Sequence, residues 1–367
     1  MHIQIKQGSL SGRERVTRAL HREPVDRVPI NYSANPTVHG RLVDALGLGG
    51  NDYETFLQML GVDIRGTAMS YQGPSLFEPI PGREVDPVYG VVSRWVPNRD
   101  GGYWDFCDFP LQNAPPEKIA SFPVPSPDDF DYDSAVAFIR RHDKNGYAAH
   151  VGNAGKCDLI NSTGRVMGME DTLVNLLQED EATLHYIDRR CDMEIGILER
   201  LLHRAADHVA FVWMGEDLGT QNMPMISLDL YRKVFRPRHQ RYIDLAKSYG
   251  KPMMVHTCGS SSWVYDDFIE MGVSAVDTLQ PEAVNMSPAY LKSRYGDKLA
   301  FQGCISTAGP LAYGTPEEVR ENVRETLSVM MPGGGYLLAP THLIQDNTPV
   351  ENIVAMYNAA HEFGFYK

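Results

Sequence analysis

Eight short apolar runs recur along the chain, and most are followed by an amphipathic stretch of helical period. They cover residues 28–33, 62–67, 148–153, 209–216, 252–258, 275–280, 299–305 and 335–340. Runs of this length, rich in β-branched and aromatic residues, read as strands; 62–67 is the most polar of them. Short apolar strands alternating with helices are the pattern of a parallel sheet covered on both faces. Eight of them in 367 residues predict an α/β fold closed as a (β/α)8 TIM barrel, a single domain over residues 1–367. An open doubly wound sheet is the alternative arrangement of the same elements.

Helix boundaries carry their own signals. Thr315-Pro316-Glu317-Glu318 combines an N-cap threonine, proline in the first turn and a glutamate placed for a capping box, and Thr348-Pro349-Val350-Glu351 repeats the pattern. Ser227 and Ser287 are further caps, Gly250 and Gly272 fit helix C-termini, and Pro237 predicts a kink or break in the helix after Ser227. Residues 83–115 interrupt the rhythm. There, 88–96 and 102–106 read as a β-hairpin turning at Asn98-Arg99-Asp100-Gly101, an insertion over one end of the barrel.

The net charge of −13 makes nucleic acid an unsuitable partner and disfavours a polyanionic substrate, although a local basic pocket can sit on an acidic protein. No run of about 18 apolar residues predicts a membrane span. Residues 1–7 have no apolar core of a signal peptide, so a cytoplasmic location is expected. Five scattered cysteines point to reduced thiols rather than a disulfide framework.

In such a barrel the chemistry lies at the C-terminal ends of the strands. His256-Thr257-Cys258 ends one run, and residues i and i+2 of a strand point to the same side. His342 follows another run, and Cys304 is a rival third ligand. Two imidazoles and a thiolate with a fourth position open suit a catalytic zinc. A buried cysteine beside a hydrogen-bonded histidine is the plainer alternative. Glu216 and Asp217 could act as a general acid, bind substrate or orient a ligand histidine, and Asp63 could be catalytic or cap a turn. Asn31, Tyr32, Asn153 and Gln280 are the candidate substrate-binding residues.

Several segments resemble the uroporphyrinogen decarboxylase superfamily. They are Gly215-Glu216-Asp217-Leu218-Gly219-Thr220-Gln221, Val255-His256-Thr257-Cys258-Gly259, Phe301-Gln302-Gly303-Cys304-Ile305-Ser306-Thr307, Gly314-Thr315-Pro316-Glu317-Glu318-Val319, Ala339-Pro340-Thr341-His342 and Pro349-Val350-Glu351-Asn352. The resemblance implies a (β/α)8 barrel and, by lean, a homodimer. The decarboxylase grips its porphyrinogen with an arginine-rich N-terminal motif, whereas the corresponding Pro29-Ile30-Asn31-Tyr32-Ser33-Ala34-Asn35-Pro36 has no arginine. The chain is therefore more similar to the zinc-dependent, corrinoid-linked methyltransferase branch. That branch implies Zn2+ at His256 and Cys258, with His342 where those enzymes have cysteine. It also implies a corrinoid (cobalamin) brought by a partner protein, and a small-molecule methyl donor or thiol acceptor. A metal-free lyase using Asp63 and His342, and a small-ligand-binding barrel without catalysis, are the rival expectations.

Overall fold

The computed structural model describes residues 1–49, 52–98 and 102–366. Its strands are β1 (Ile64–Thr67), β2 (Glu84–Val85), β3 (Val92–Val96), β4 (Tyr103–Phe106), β5 (Ala148–Gly152), β6 (Phe211–Gly215), β7 (Met253–Thr257), β8 (Ala275–Thr278), β9 (Ala300–Ile305) and β10 (Tyr336–Pro340). Seven of them form one parallel sheet in the order β1-β5-β6-β7-β8-β9-β10. Helices run between them, and β7 to β10 are buried along their whole length. The expected strands are thus present from residue 62 onward, trimmed at their ends.

The first expected strand, 28–33, forms no regular ladder, yet it occupies the eighth place. Leu338 N–H donates to Pro29 O at 2.8 Å, Asn31 N–H donates to Leu338 O at 2.9 Å, and Asp63 N–H donates to Ile30 O at 2.9 Å. The segment therefore bridges β10 and β1 and closes the ring. Its pairing is sparse for a local reason. Pro29 has no N–H, and the N–H of Ile30 donates to the Asp63 carboxylate at 2.9 Å instead of to a neighbouring strand.

The N-terminal end of the barrel is plugged. The helix Gly12–Leu20 starts with a capping box between Ser11 and Glu14. It packs Val16, Ala19 and Leu20 on Ile64, Ala148, Phe211, Met254, Ala275, Ala300 and Leu337, residues at the starts of the strands. Arg15 on that helix donates to Asp63 Oδ1 at 2.6 Å, and Arg27 reaches both oxygens at 2.7 and 3.0 Å. Asp63 is buried. It precedes β1, so it lies at the end of the barrel away from the strand C-termini.

The inserted hairpin is present. β3 and β4 pair antiparallel with Trp95 opposite Trp104, and the short β2 adds a third strand. Of its expected turn, residues 99–101 lie outside the described residues. Thr315 and Glu318 form the expected capping box. The second such device does not form: the helix Val350–Phe363 is preceded by Pro349 as N-cap, and no side chain caps it. Ahead of Pro237 the helix widens to a π-turn over Tyr231–Phe235, which relieves the clash a proline ring makes with the preceding turn.

Candidate active site

Register builds the site. His256 on β7 lies opposite Asp277 on β8, and Asp277 lies opposite Gln302 on β9. Residues paired in this way project from the same face of a sheet. Their side chains form one chain of hydrogen bonds. His256 Nδ1 is 2.7 Å from Asp277 Oδ2, Gln302 Nε2 donates to Asp277 Oδ1 at 2.8 Å, and Asn31 Nδ2 donates to Gln302 Oε1 at 3.3 Å. Asp277 fixes the His256 ring at Nδ1 and leaves Nε2 on the side of Cys258.

Cys258 Sγ lies 3.4 Å from His256 Nε2. His342, on the loop after β10, completes the group: ligand atoms of His256, Cys258 and His342 lie within 4.8 Å of one another. Zinc–nitrogen and zinc–sulfur bonds of about 2.0 and 2.3 Å at a tetrahedral angle separate the two donors by about 3.5 Å. The His256–Cys258 spacing fits that geometry. The donor set of two imidazoles and one thiol suits zinc, and the carboxylate on Nδ1 is the usual support for a ligating histidine. Cys304 stands apart from this group. It is buried, and burial pushes its thiol up.

Two backbone features hold these candidate donors. Thr278 ends β8 at φ 87°, a strained value for a β-branched residue, and its hydroxyl lies 2.7 Å from His256 Nδ1. Gly259 follows Cys258 at φ 68°, and a Cβ there would meet Gly219 O at 2.3 Å. Asp217 anchors the turn: its Oδ1 accepts from Cys258 N–H at 2.8 Å and its Oδ2 from Asn161 at 2.8 Å. Burial pushes its carboxyl up, but the His256 charge and these hydrogen bonds outweigh it and hold Asp217 below the usual range. Asp217 thus anchors the turn through its bonds to Cys258 N–H and Asn161. For His256 burial opposes the charged form, and the hydrogen bonds with Asp277 and Cys258 more than reverse it. Burial lowers His342, and the His256 charge lowers it further.

A cavity of about 330 Å³ opens on His256 and His342. Asn31, Tyr32 and Asn153 line it together with Trp213, Gln302 and Leu343, and its lining contains no lysine or arginine. Tyr32 turns its hydroxyl away, 3.0 Å from His39 Nδ1. Gln280 lies on the far side of the cluster, lining a neighbouring cavity of about 300 Å³ with Cys258 and His342.

Two expected catalytic residues lie elsewhere. Asp63 is held by Arg15 and Arg27 at the plugged end. Glu216 is fully buried, and it accepts from Leu159 N–H at 2.7 Å and Ile160 N–H at 3.1 Å at the start of the helix Ile160–Met167. Burial pushes its carboxyl up to about 8, against those two donors. It serves as a helix cap, the alternative open to a carboxylate at a strand end. Asp277, Gln302 and Thr278 were missed. The signal for Asp277 is a lone carboxylate inside the apolar run 275–280.

The sequence matches the family described as Uroporphyrinogen decarboxylase (URO-D) over residues 160–363. The uroporphyrinogen decarboxylase of Alkalilimnicola ehrlichii is 24% identical over 375 residues, spanning 95% of this chain and 93% of that protein. The methylated-thiol–coenzyme M methyltransferase of Methanosarcina mazei is 24% identical over 199 residues, spanning 54% of this chain and 50% of that protein. A solved methyltransferase structure from Methanosarcina mazei superimposes with a TM-score of 0.65 at 16% identity, covering 97% of this chain and 99% of the other. No helix among the described residues is long and apolar enough to cross a membrane.

Proposed function

The chain belongs to the uroporphyrinogen decarboxylase family, and on that premise we propose that it is a zinc-dependent methyltransferase. It moves a methyl group between a small methylated donor or thiol acceptor and a corrinoid carried by a partner protein. The observation that carries this reading is the cluster of His256, Cys258 and His342, of which His256 and His342 line a cavity whose lining has no cationic side chain. That cavity offers the many carboxylates of a porphyrinogen no guanidinium of its own, the nearby Arg65 and Arg141 lining an adjoining cavity that shares Asn31, Tyr32 and Trp213 with it. The metal-free lyase built on Asp63 and His342 lacks its geometry, because the two residues sit at opposite ends of the barrel.

When bound, zinc supplies a Lewis acid that lowers the pKa of a thiol or polarises the heteroatom of a methylated donor. The chain's own residues do the rest. Asp277 orients His256 at the cavity wall, and Asp217 holds the backbone of Cys258 so that its thiol lies beside His256. Asn31, Gln302 and Asn153 offer polar contacts to a substrate, while the apolar faces of Trp213, Ala339, Pro340 and Leu343 in the same lining shed water.

The test is metal content together with turnover. Protein purified without chelator is expected to carry about one zinc per chain and to demethylate free methylcobalamin in the presence of a small thiol, or to methylate reduced cobalamin from a methylated donor. Zinc-free protein that transfers no methyl group in either direction would sink the proposal. Asp277→Asn is expected to keep the fold and to weaken zinc binding about 10–100-fold in a chelator competition. An unchanged affinity would mean that Asp277 does not support the metal.

A further inference from the structure

We propose that a second cavity beside the metal cluster is a binding pocket for the carboxylate of a small acidic molecule. This cavity, of about 230 Å³, is lined by Lys156, Arg165 and Arg190 against Asp86 and Glu194. Three cations face two carboxylates on a protein whose net charge is −13. A local excess of one positive charge is therefore a feature of the pocket and not of the surface at large.

The pairings decide which cation is free. Arg190 and Glu194 lie one turn apart on the helix Glu181–Ala205, where an ion pair would be expected. Glu194 pairs instead with Lys156, at 2.9 Å to Nζ. Asp86 accepts from the backbone N–H groups of Val88 and Tyr89 at 2.8 and 2.9 Å. Arg165 lies over the Phe106 ring at 5.4 Å. Among the described residues neither Arg165 nor Arg190 makes an ion pair with a carboxylate, and Arg190 contributes to the cavity wall. Arg190 lies over the Tyr186 ring at 5.9 Å and, against burial, is held charged by Glu194 and Asp158 without a direct ion pair. Its remaining N–H groups therefore suit an incoming carboxylate, which a guanidinium can bind through two parallel N–H groups. Ser162 also lines the pocket.

Asn153 lines both this pocket and the metal cavity. Residues 153–156 run directly out of β5 between the two, so one short molecule can reach both. The donor or acceptor of the methyl group would then be a small acid, with its heteroatom at the His256 cluster and its carboxylate at Arg190. That assignment of substrate rests on the methyl-transfer reading, whereas the carboxylate pocket does not.

Calorimetric titration of the full chain at low, constant ionic strength tests the pocket separately from activity. The probes are succinate, the neutral succinamide and inorganic phosphate. Succinate is expected to bind in roughly the millimolar range and succinamide not at all. Arg190→Gln is expected to weaken succinate at least about tenfold, and the exposed Arg165→Gln severalfold, each with an unchanged circular dichroism spectrum. Succinate binding no better than succinamide, or equally to wild type and both variants, would overturn the pocket. Phosphate binding in preference to succinate would overturn the carboxylate assignment. Protein that binds succinate through Arg190 but transfers no methyl group keeps the pocket and loses only the substrate role.

Discussion

His256→Ala and Cys258→Ser are each expected to leave the protein folded, free of zinc and at least about 10³-fold slower in methyl transfer, because Lewis-acid activation contributes several kcal/mol to the barrier. Neither side chain holds the barrel together. His256 sits on the cavity wall, and Cys258 is partly exposed in the turn that follows β7. His342→Ala should have a smaller effect on metal content. This residue is exposed on a loop, and its place can be taken by water while the other two donors persist. His342→Cys should retain zinc, since a thiolate is an equally suitable donor. Cys304→Ser is the control. Its thiol is buried outside the cluster, so zinc content should match wild type. Metal analysis of the five proteins with circular dichroism alongside gives the answer. Full zinc in Cys258→Ser would remove the cluster from the reaction. Loss in Cys304→Ser would make Cys304 the third ligand in place of His342.

Much of this architecture was legible because parallel strands are buried on both faces and so print continuous apolar runs. The exception, 28–33, keeps its place in the ring without its ladder, since Pro29 lacks a donor and Asp63 captures the next one. The clustered His256, Cys258 and His342 were legible because a strand end followed by polar residues is visible locally. Their supports were not. Asp277 and Gln302 act through register across neighbouring strands, with partners 21 and 25 residues distant in sequence, and register is not written in either run alone. Glu216 was misplaced by one step of strand alternation. Gly215 is in register with His256, which lines the cavity, so the next side chain points outward to the helix Ile160–Met167. Asp63 falls outside its strand because the run that starts at 62 is trimmed at its N-terminal end. β1 begins at Ile64, which puts Asp63 on the plugged rim rather than within a strand.

That position gives Asp63 the larger consequence for stability. Asp63→Asn is expected to cost about 3–5 kcal/mol, because it leaves a buried guanidinium without its counter-charge. Arg15 retains Asp26, at 2.7 Å from Nε, but Arg27 has no second carboxylate among the described residues and is itself buried. The substitution also weakens the acceptor for Ile30 N–H, and with it the segment that joins β10 to β1. The loss should show as a lower urea midpoint, while zinc per folded chain and kcat at low temperature stay near wild type. The opposite pattern, full stability with activity lost, would return Asp63 to the reaction and reopen the metal-free lyase. Paired replacement of Arg27 and Asp63 by apolar residues of similar volume separates charge from packing. If the penalty is the uncompensated guanidinium, the double variant should recover much of the stability that Asp63→Asn loses, since a well-packed apolar pair often matches a buried ion pair.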